Sequence, residues 1–265
     1  MSQPLLILNG IAKSFYRNGA QIKALEDINL SVHAGETLAL VGPSGSGKST
    51  LARIIMCLES PDQGTISFKG NNLLALRSSR LRSLRADFQM VFQDPLAAFN
   101  PRATVERVLR DPLRIHNVVA RTKQDEAIGS LLNRVGLPNG LRTRAIHEIS
   151  GGQRQRVAIA RALATKPSLI VLDEAVSALD VSMRGQIINL LVDLQRSEGI
   201  AFLFVSHDIG IVRAMAHRVA IMESGRIVEL GSSDDVIRNP CSATGAALIA
   251  AVPRLTCFVS ADQQL

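Results

Sequence analysis

Residues 42–50 read GPSGSGKST, a spacing that supplies together the bends, the cation and the metal ligand that a bound polyphosphate needs. Gly42, Gly45 and Gly47 let the backbone wrap closely around phosphates with its amides pointing inward, and a following helix start adds a favourable field. Lys48 is placed to reach the β and γ phosphates and Ser49 to bind Mg2+. Pro43, Ser44, Ser46 and Thr50 complete the stretch expected to contact nucleotide. A glycine-rich turn with a surface lysine is the bland alternative, and the apolar strand before the loop and the helical run after it speak against it.

Further along, LIVL (169–172) leads into Asp173 and Glu174, which places two carboxylates at the mouth of a buried strand. Asp173 reads as a holder of magnesium and Glu174 as the group that polarises, or takes a proton from, an attacking water. The same pair serves elsewhere as a helix cap or a solvent-facing strand end. Gln93, closing FQMVF (88–92), either ligates magnesium or a water, or satisfies backbone at a turn. His207, closing AFLFVS (201–206), is either a core-edge histidine or a contact to the γ phosphate that also positions Glu174 or the water. Ser150, Gly151, Gly152 and Gln153 form S-x-x-Q, a capping box whose glycines leave helix-start amides uncovered. This is a second phosphate-binding surface or a plain helix cap.

Such residues need elements that end where they stand. TLALV (37–41) reads as a buried parallel strand running into the glycine loop, with a helix around STLARIIMCL after it. LLILNG, KSFY and INLSV, within Leu5–Val32, read as strands of an antiparallel sheet. LLALRSSRLRSLR (73–85) reads as one basic helix. From 95 to 148 the texture changes, with Pro95, Pro101, Pro112 and Pro138 punctuating helical candidates such as KQDEAIGSLLNRVG, as expected of an inserted helical lobe. A helix over Gly151–Ala164, the strand LIVL, the helix MRGQIINLLVDLQRS and the strand AFLFVS follow. These strand-helix units predict a mainly parallel, three-layer core. RVAIM (218–222) and RIVEL (226–230) read as a late hairpin around Glu223–Gly225.

The bulk properties bound the function. A chain of 265 residues fits one large domain, or one with an inserted lobe and a tail. Although 46% of residues are hydrophobic, the longest apolar runs are too short to cross a bilayer, and the first residues lack a secretory signal. A cytosolic chain is expected. The formal charge of +7 is spread along the chain and forms no polybasic tract. Cys57, Cys241 and Cys257 form no C-x-x-C pair, against a disulfide scaffold or a zinc or iron-sulfur site within the chain.

ISGGQRQRVAIARAL (149–163) resembles the signature region of ABC-transporter ATPases, with Ile149 in place of the usual Leu, and LDEAVSALD (172–180) resembles their carboxylate and D-loop region. The resemblance spans almost the whole chain. It implies an α/β fold, a P-loop NTPase core of ABC-ATPase type with an antiparallel β subdomain and an inserted helical subdomain. The core would occupy 1–94 and 149–238, the lobe 95–148 with the signature helix following from 149, and a short tail 239–265. ATP and Mg2+ are the implied cofactors, the metal held through Ser49, Gln93 and Asp173. Two such domains lie head to tail, so that Ser150–Gln153 of one covers ATP held by Lys48 of the other. The resemblance assigns Glu174, His207 and Lys48 to catalysis, Gln93 also to communication with the lobe, and Ser177–Asp180 to the interface loop, with Asp180 at the nucleotide. Tyr16 matches the aromatic that stacks on adenine, whereas its bare position reads as a strand aromatic in the core.

FQDPLAAFNPR (92–102) and the tail NPCSATGAALIAAVP (239–253) resemble, more narrowly, the ATPases of dipeptide, oligopeptide and nickel importers. That implies a motor on the cytoplasmic face of the inner membrane. Its partners would be a second homologous ATP-binding subunit, of a different or the same chain, two integral permeases and an extracytoplasmic solute-binding protein. Neither cargo nor nucleic acid is expected to touch it, and the tail lacks the cysteines of relatives that hold an iron-sulfur cluster. The competing readings are a regulatory ATP-binding scaffold, an exporter motor and a nucleic-acid-associated ATPase. The last would carry a long coiled-coil insertion that this sequence lacks.

Overall fold

TLALV, LIVL and AFLFV are buried at every position, as strands covered on both faces must be. The computed structural model describes residues 3–17, 19–100, 102–177 and 179–251. In chain order its strands are β1 (Leu6–Arg17), β2 (Ala20–Val32), β3 (Thr37–Val41), β4 (Gln63–Phe68), β5 (Asn71–Asn72), β6 (Phe88–Val91), β7 (Leu169–Asp173), β8 (Ala201–Val205), β9 (Arg218–Glu223) and β10 (Arg226–Ser232). The helices are α1 (Lys48–Ile55), α2 (Ser78–Leu84), α3 (Val105–Ile115), α4 (Gln124–Arg134), α5 (Gly151–Leu163), α6 (Val181–Glu198), α7 (Ile209–Met215), α8 (Ser233–Arg238) and α9 (Ala243–Ala250).

The strands form two sheets, an antiparallel one of order β2-β1-β4-β5 and a larger one of order β10-β9-β3-β8-β7-β6. In the larger sheet β9, β3, β8, β7 and β6 run parallel, and β10 pairs antiparallel with β9 as the expected hairpin. Period-two alternation splits each central strand between two cores. Leu38, Leu40, Leu169, Val171, Leu203 and Val205 face α1 and the antiparallel sheet. Ala39, Val41, Ile170, Leu172, Phe202 and Phe204 face the helices on the other side. Each large apolar side chain buried this way contributes roughly 1.5–3 kcal/mol. The sheet edge they fix is therefore a stiff platform for the loops at its carboxyl ends.

Between β6 and α5 lie α3 and α4, which pack on each other and on α5. Pro112 stands inside α3 instead of ending a helix there. The lost backbone donor and the ring clash cost roughly 3 kcal/mol, and the stripe of Val105, Val108, Leu109 and Leu113, all buried, outweighs it. Pro101, another expected punctuation point, lies outside the described residues.

Two other local expectations change. LLILNG and KSFY belong to one strand, β1, whose pairing with β2 shifts register between Leu8 and Ser14. Gly10, at φ +61° within that shift, breaks the apparent sequence run without ending the strand. The basic helix expected over 73–85 divides into a 3-10 turn (Leu73–Ala75) and α2. Leu73 is buried beside β4, Asn72 Oδ1 accepts from Leu74 N at 3.1 Å, and Leu76 and Arg77 are extended. Burial of one leucine and an Asx cap thus override helix propensity.

Candidate active site

The phosphate loop joins the carboxyl end of β3 to α1, and two close approaches shape it. A Cβ on Gly42 would lie 2.1 Å from the Met222 carbonyl oxygen, and one on Gly47 would lie 2.5 Å from that of Ala24. Both glycines have positive φ, +154° and +104°. Ser46 N donates to Pro43 O at 3.2 Å and Gly225 N to Ser46 O at 3.0 Å, which stitches the loop to the β9–β10 turn. Pro43, Ser44, Gly45 and Ser49 remain exposed, Thr50 is half-buried and Ser46 is buried beneath them. The buried Lys48 ammonium folds back to donate to Gly42 O at 2.9 Å, Pro43 O at 2.8 Å and Ser46 Oγ at 3.2 Å. Burial lowers its pKa, opposed by the charges of Glu174 and Asp173.

Parallel register brings the other candidates to the same edge. Asp173 pairs with Val205, and Leu40 pairs with Val205 from the other side, so the residues just beyond β3, β7 and β8 are neighbours. Ser49 Oγ lies 3.3 Å from Asp173 Oδ1. Asp173 is 9% exposed, and burial raises its pKa, with the neighbouring Glu174 charge adding to the rise and the Ser49 hydrogen bond opposing it. Gln93 Nε2 donates to Glu174 Oε2 at 2.9 Å, while His207 Nδ1 is 3.4 Å from Glu174 Oε1. Glu174 is thus held from two sides. Its own backbone sits at φ +47°, a left-handed conformation that costs a non-glycine residue on the order of 1–3 kcal/mol. Glu174 N donates to Val205 O, and Glu174 O accepts from Ser177 N at 3.1 Å and Ser177 Oγ at 2.9 Å, which together hold that turn.

The Ser150–Gln153 segment is the expected capping box. Gln153 N donates to Ser150 Oγ at 3.3 Å, and Ser150 N donates to Gln153 Oε1 at 3.0 Å. Gly151 is exposed at the start of α5 and lines, with Gln93, Asp94, Arg154 and Leu179, a cavity of about 350 Å³. Gly152 is covered by Met183, whose Sδ would be 2.3 Å from an added Cβ. Gly151 at this helix start and Gln93 thus line one cavity, to which neither Lys48 nor Ser49 contributes. Asp180 caps α6, accepting from Met183 N and Ser182 Oγ, each at 2.8 Å. Those hydrogen bonds, Met183 N first, lower its pKa. Ala178, within the expected interface loop, lies outside the described residues, as does Cys257. Cys57 and Cys241 are free thiols.

Tyr16 is 78% exposed near the end of β1, paired with Gln21 beside the Phe15–Ile22 pair, and so is no core aromatic. Two side chains that the motif spacing missed also reach this region. Arg184 Nη1 donates to Asp208 Oδ2 at 2.9 Å, and Asp208 Oδ1 accepts from Gly210 N and Ile211 N at the start of α7. The S-H-D-I order could have flagged Asp208 as a helix cap. Its pairing with Arg184, 24 positions away, has no local signal.

A glycine loop between a buried strand and a helix, with carboxylates arriving from the next parallel strands, defines a P-loop nucleoside-triphosphate-binding domain. The ABC transporter family model matches residues 25–177, more than half of the sequence, and the chain belongs to that family as an ATP-binding subunit. It is 46% identical over 260 residues to the probable peptide ABC transporter ATP-binding protein y4tS of Sinorhizobium fredii, covering 96% of this chain and 74% of that protein. It is 48% identical over 258 residues to the glutathione import ATP-binding protein GsiA of Salmonella paratyphi A, covering 95% of this chain and 41% of GsiA. The chain thus spans about two fifths of that second relative's length. Among solved structures, the ATP-binding cassette MJ0796, a dimer in a post-hydrolysis state with ADP and Pi, superposes with a TM-score of 0.79 at 30% identity, covering 86% of this chain and 98% of that one. The cbiO1 protein of Clostridium perfringens, part of the cbiONQ transporter complex, gives 0.79 at 28% identity over 90% and 92% of the two chains. The α/β core expected from the sequence is that of an ABC ATPase.

Proposed function

We propose that this chain is the ATP-hydrolysing motor of an ABC importer for peptides, glutathione-like tripeptides among them. The observation that carries hydrolysis, as opposed to a scaffold that only binds ATP, is Glu174 held between Gln93 and His207 beside Asp173. A carboxylate so oriented acts as general base toward a water, a role worth about 10²–10⁴-fold in rate. Lys48 exchanges its backbone acceptors for phosphate oxygens, and His207 steadies both Glu174 and the terminal phosphate. Tyr16 offers an exposed ring to adenine. Ser49 and Asp173 already face each other, and a buried carboxylate beside a second one favours a cation, so the site fits Mg2+. Ser49, Asp173 and Gln93 would hold the ion, which when bound offsets phosphate charge.

The exposed start of α5, on a cavity that Lys48 does not line, supports a head-to-tail pair in which Ser150, Gly151, Gly152 and Gln153 cover the partner's nucleotide, with Asp180 at the same interface. The dimeric cassette of MJ0796 supports that arrangement. The partner would be a related ATPase or a second copy. Residues 95–148 form the lobe that faces two permeases on the cytoplasmic side of the membrane, and a solute-binding protein outside supplies cargo. Among the described residues no helix is long and apolar enough to cross a membrane. A cavity of about 470 Å³ between lobe and core, lined by Leu58, Phe92, Phe99, Arg107 and Ile115 among others, has the apolar floor and basic rim that suit a permease segment. The similarity to a probable peptide transporter protein and to a glutathione import protein favours peptide over nickel cargo. ATP-dependent uptake by vesicles carrying the complete complex tests this: labelled dipeptide or glutathione should accumulate, and uptake of nickel alone would overturn the cargo assignment.

A further inference from the structure

Arg184 lies in the first turn of α6, outside the phosphate loop, the carboxylate pair and the signature segment. Its guanidinium joins two of the loops that frame Glu174. Nη1 donates to Asp208 Oδ2 at 2.9 Å, and Nη2 donates to Leu179 O at 3.2 Å. Leu179 ends the turn that begins at Glu174, where Ser177 N and Oγ hold the Glu174 carbonyl and Leu179 N donates to Val176 O. Asp208 follows His207 directly. Its amide donates to Ser206 Oγ at 3.0 Å, and its second carboxylate oxygen caps α7. Ser206 N in turn donates to Leu40 O, on the strand that feeds the phosphate loop.

The contacts form a closed circuit: Glu174, the turn to Leu179, Arg184, Asp208, His207, and back to Glu174 across 3.4 Å. Arg184 bridges the β7 loop and the β8 loop a second time, beside the direct contact of His207 with Glu174. The fork of a guanidinium fixes direction as well as distance, which the point charge of a lysine does not. The Arg184 Nε is buried without a hydrogen-bond partner, so the side chain holds this pose despite leaving a donor unmet. Met183, one residue earlier, covers Gly152. The same helical turn therefore touches the signature segment, the interface loop and the histidine loop.

We propose that Arg184 is a positioning residue for ATP hydrolysis, setting the register between His207 and Glu174 through Asp208 and Leu179. This rests on the assignment of Glu174 and His207 to the hydrolytic step. The Arg184 and Asp208 side chains are 27% and 35% exposed, a setting in which an ion pair adds little to stability. A displacement of about 1 Å at a reacting group, in contrast, lowers turnover by about 10²-fold. Function and stability thus separate.

The test is steady-state ATPase activity, ATP affinity and thermal midpoint of the complete transporter complex carrying Arg184→Gln, Arg184→Lys, Asp208→Asn or Arg184→Gln with Asp208→Asn. Expected are a fall in kcat of about tenfold or more for Arg184→Gln and Asp208→Asn, KM for ATP within about twofold, and a thermal midpoint near that of wild type. The double variant should be no worse than either single one, because both cut the same link, and Arg184→Lys should recover part of the rate. Unchanged kcat in Arg184→Gln, strictly additive losses, or a rate loss that tracks a fallen thermal midpoint would overturn the proposal. Glu174→Gln in the same assay separates the two levels: if it turns over normally, the hydrolytic assignment itself fails, whereas a dead Glu174→Gln with a normal Arg184→Gln defeats only the role of Arg184.

Discussion

Gly42→Ala is the substitution whose effect the backbone determines most directly. The added Cβ would sit 2.1 Å from the Met222 carbonyl oxygen and 2.9 Å from Ser46 Oγ. A carbon tolerates an oxygen at roughly 3.3 Å, so one side has to retreat by about 1 Å. Met222 lies in β9, hydrogen-bonded between β10 and β3 and fully buried, so the phosphate loop is the side that yields. The Gly42 carbonyl moves with it, and with that carbonyl goes an acceptor of the Lys48 ammonium. Alanine must also adopt φ near +154°, which costs on the order of 1–3 kcal/mol. A phosphate cradle displaced by about 1 Å loses about 10²-fold in function. Binding of a fluorescent ATP analogue, read beside thermal melting with and without MgATP, checks this. The expected result is a Kd raised about 10²-fold and loss of the nucleotide-induced rise in Tm, with the protein still folded. Wild-type affinity in Gly42→Ala would refute the reasoning about the loop.

The exposed ring of Tyr16 contributes little to folding, so Tyr16→Ala should leave Tm almost unchanged while weakening ATP by about 1 kcal/mol, and Tyr16→Phe should bind normally; equal binding by Tyr16→Ala, measured by nucleotide titration, would remove the adenine-stacking role. Burial raises the Asp173 pKa, so the ionised carboxylate is a liability to the nucleotide-free fold above the ordinary aspartate range and none once protonated. Asp173→Asn should therefore melt higher than wild type at pH 7, with the gap closing as the pH falls through the raised native pKa toward about 4, while Mg2+-dependent nucleotide binding is lost. A lower melting point at pH 7 would contradict the burial argument.

How far the sequence discloses all this depends on whether the determining contact is local. The apolar runs at 37–41, 169–172 and 201–205 read as buried strands because no polar residue interrupts them, and each is buried throughout. The Ser150–Gln153 capping box is local too, and both of its hydrogen bonds form. Tyr16 is ambiguous by itself, since a strand residue faces core or solvent according to a register that shifts three times before it. The divided 73–85 segment turns on the burial of Leu73 beside β4, and the persistence of α3 through Pro112 turns on an apolar stripe packed against other helices. The meeting of Gln93, Glu174 and His207 follows from the order β3-β8-β7-β6, which strand propensities do not encode. Arg184 was illegible for the same reason: a partner 24 positions away, across two loops, leaves no periodic trace.

The most direct test of the account replaces Glu174 with Gln and measures steady-state ATP turnover and retained nucleotide in the complete transporter complex. The glutamine keeps the size of the side chain, and with it the means to contact Gln93 and His207, but removes the base. Turnover should fall by about 10²-fold or more, with ATP still bound and the paired ATPases held closed. Turnover at the wild-type rate would contradict the account.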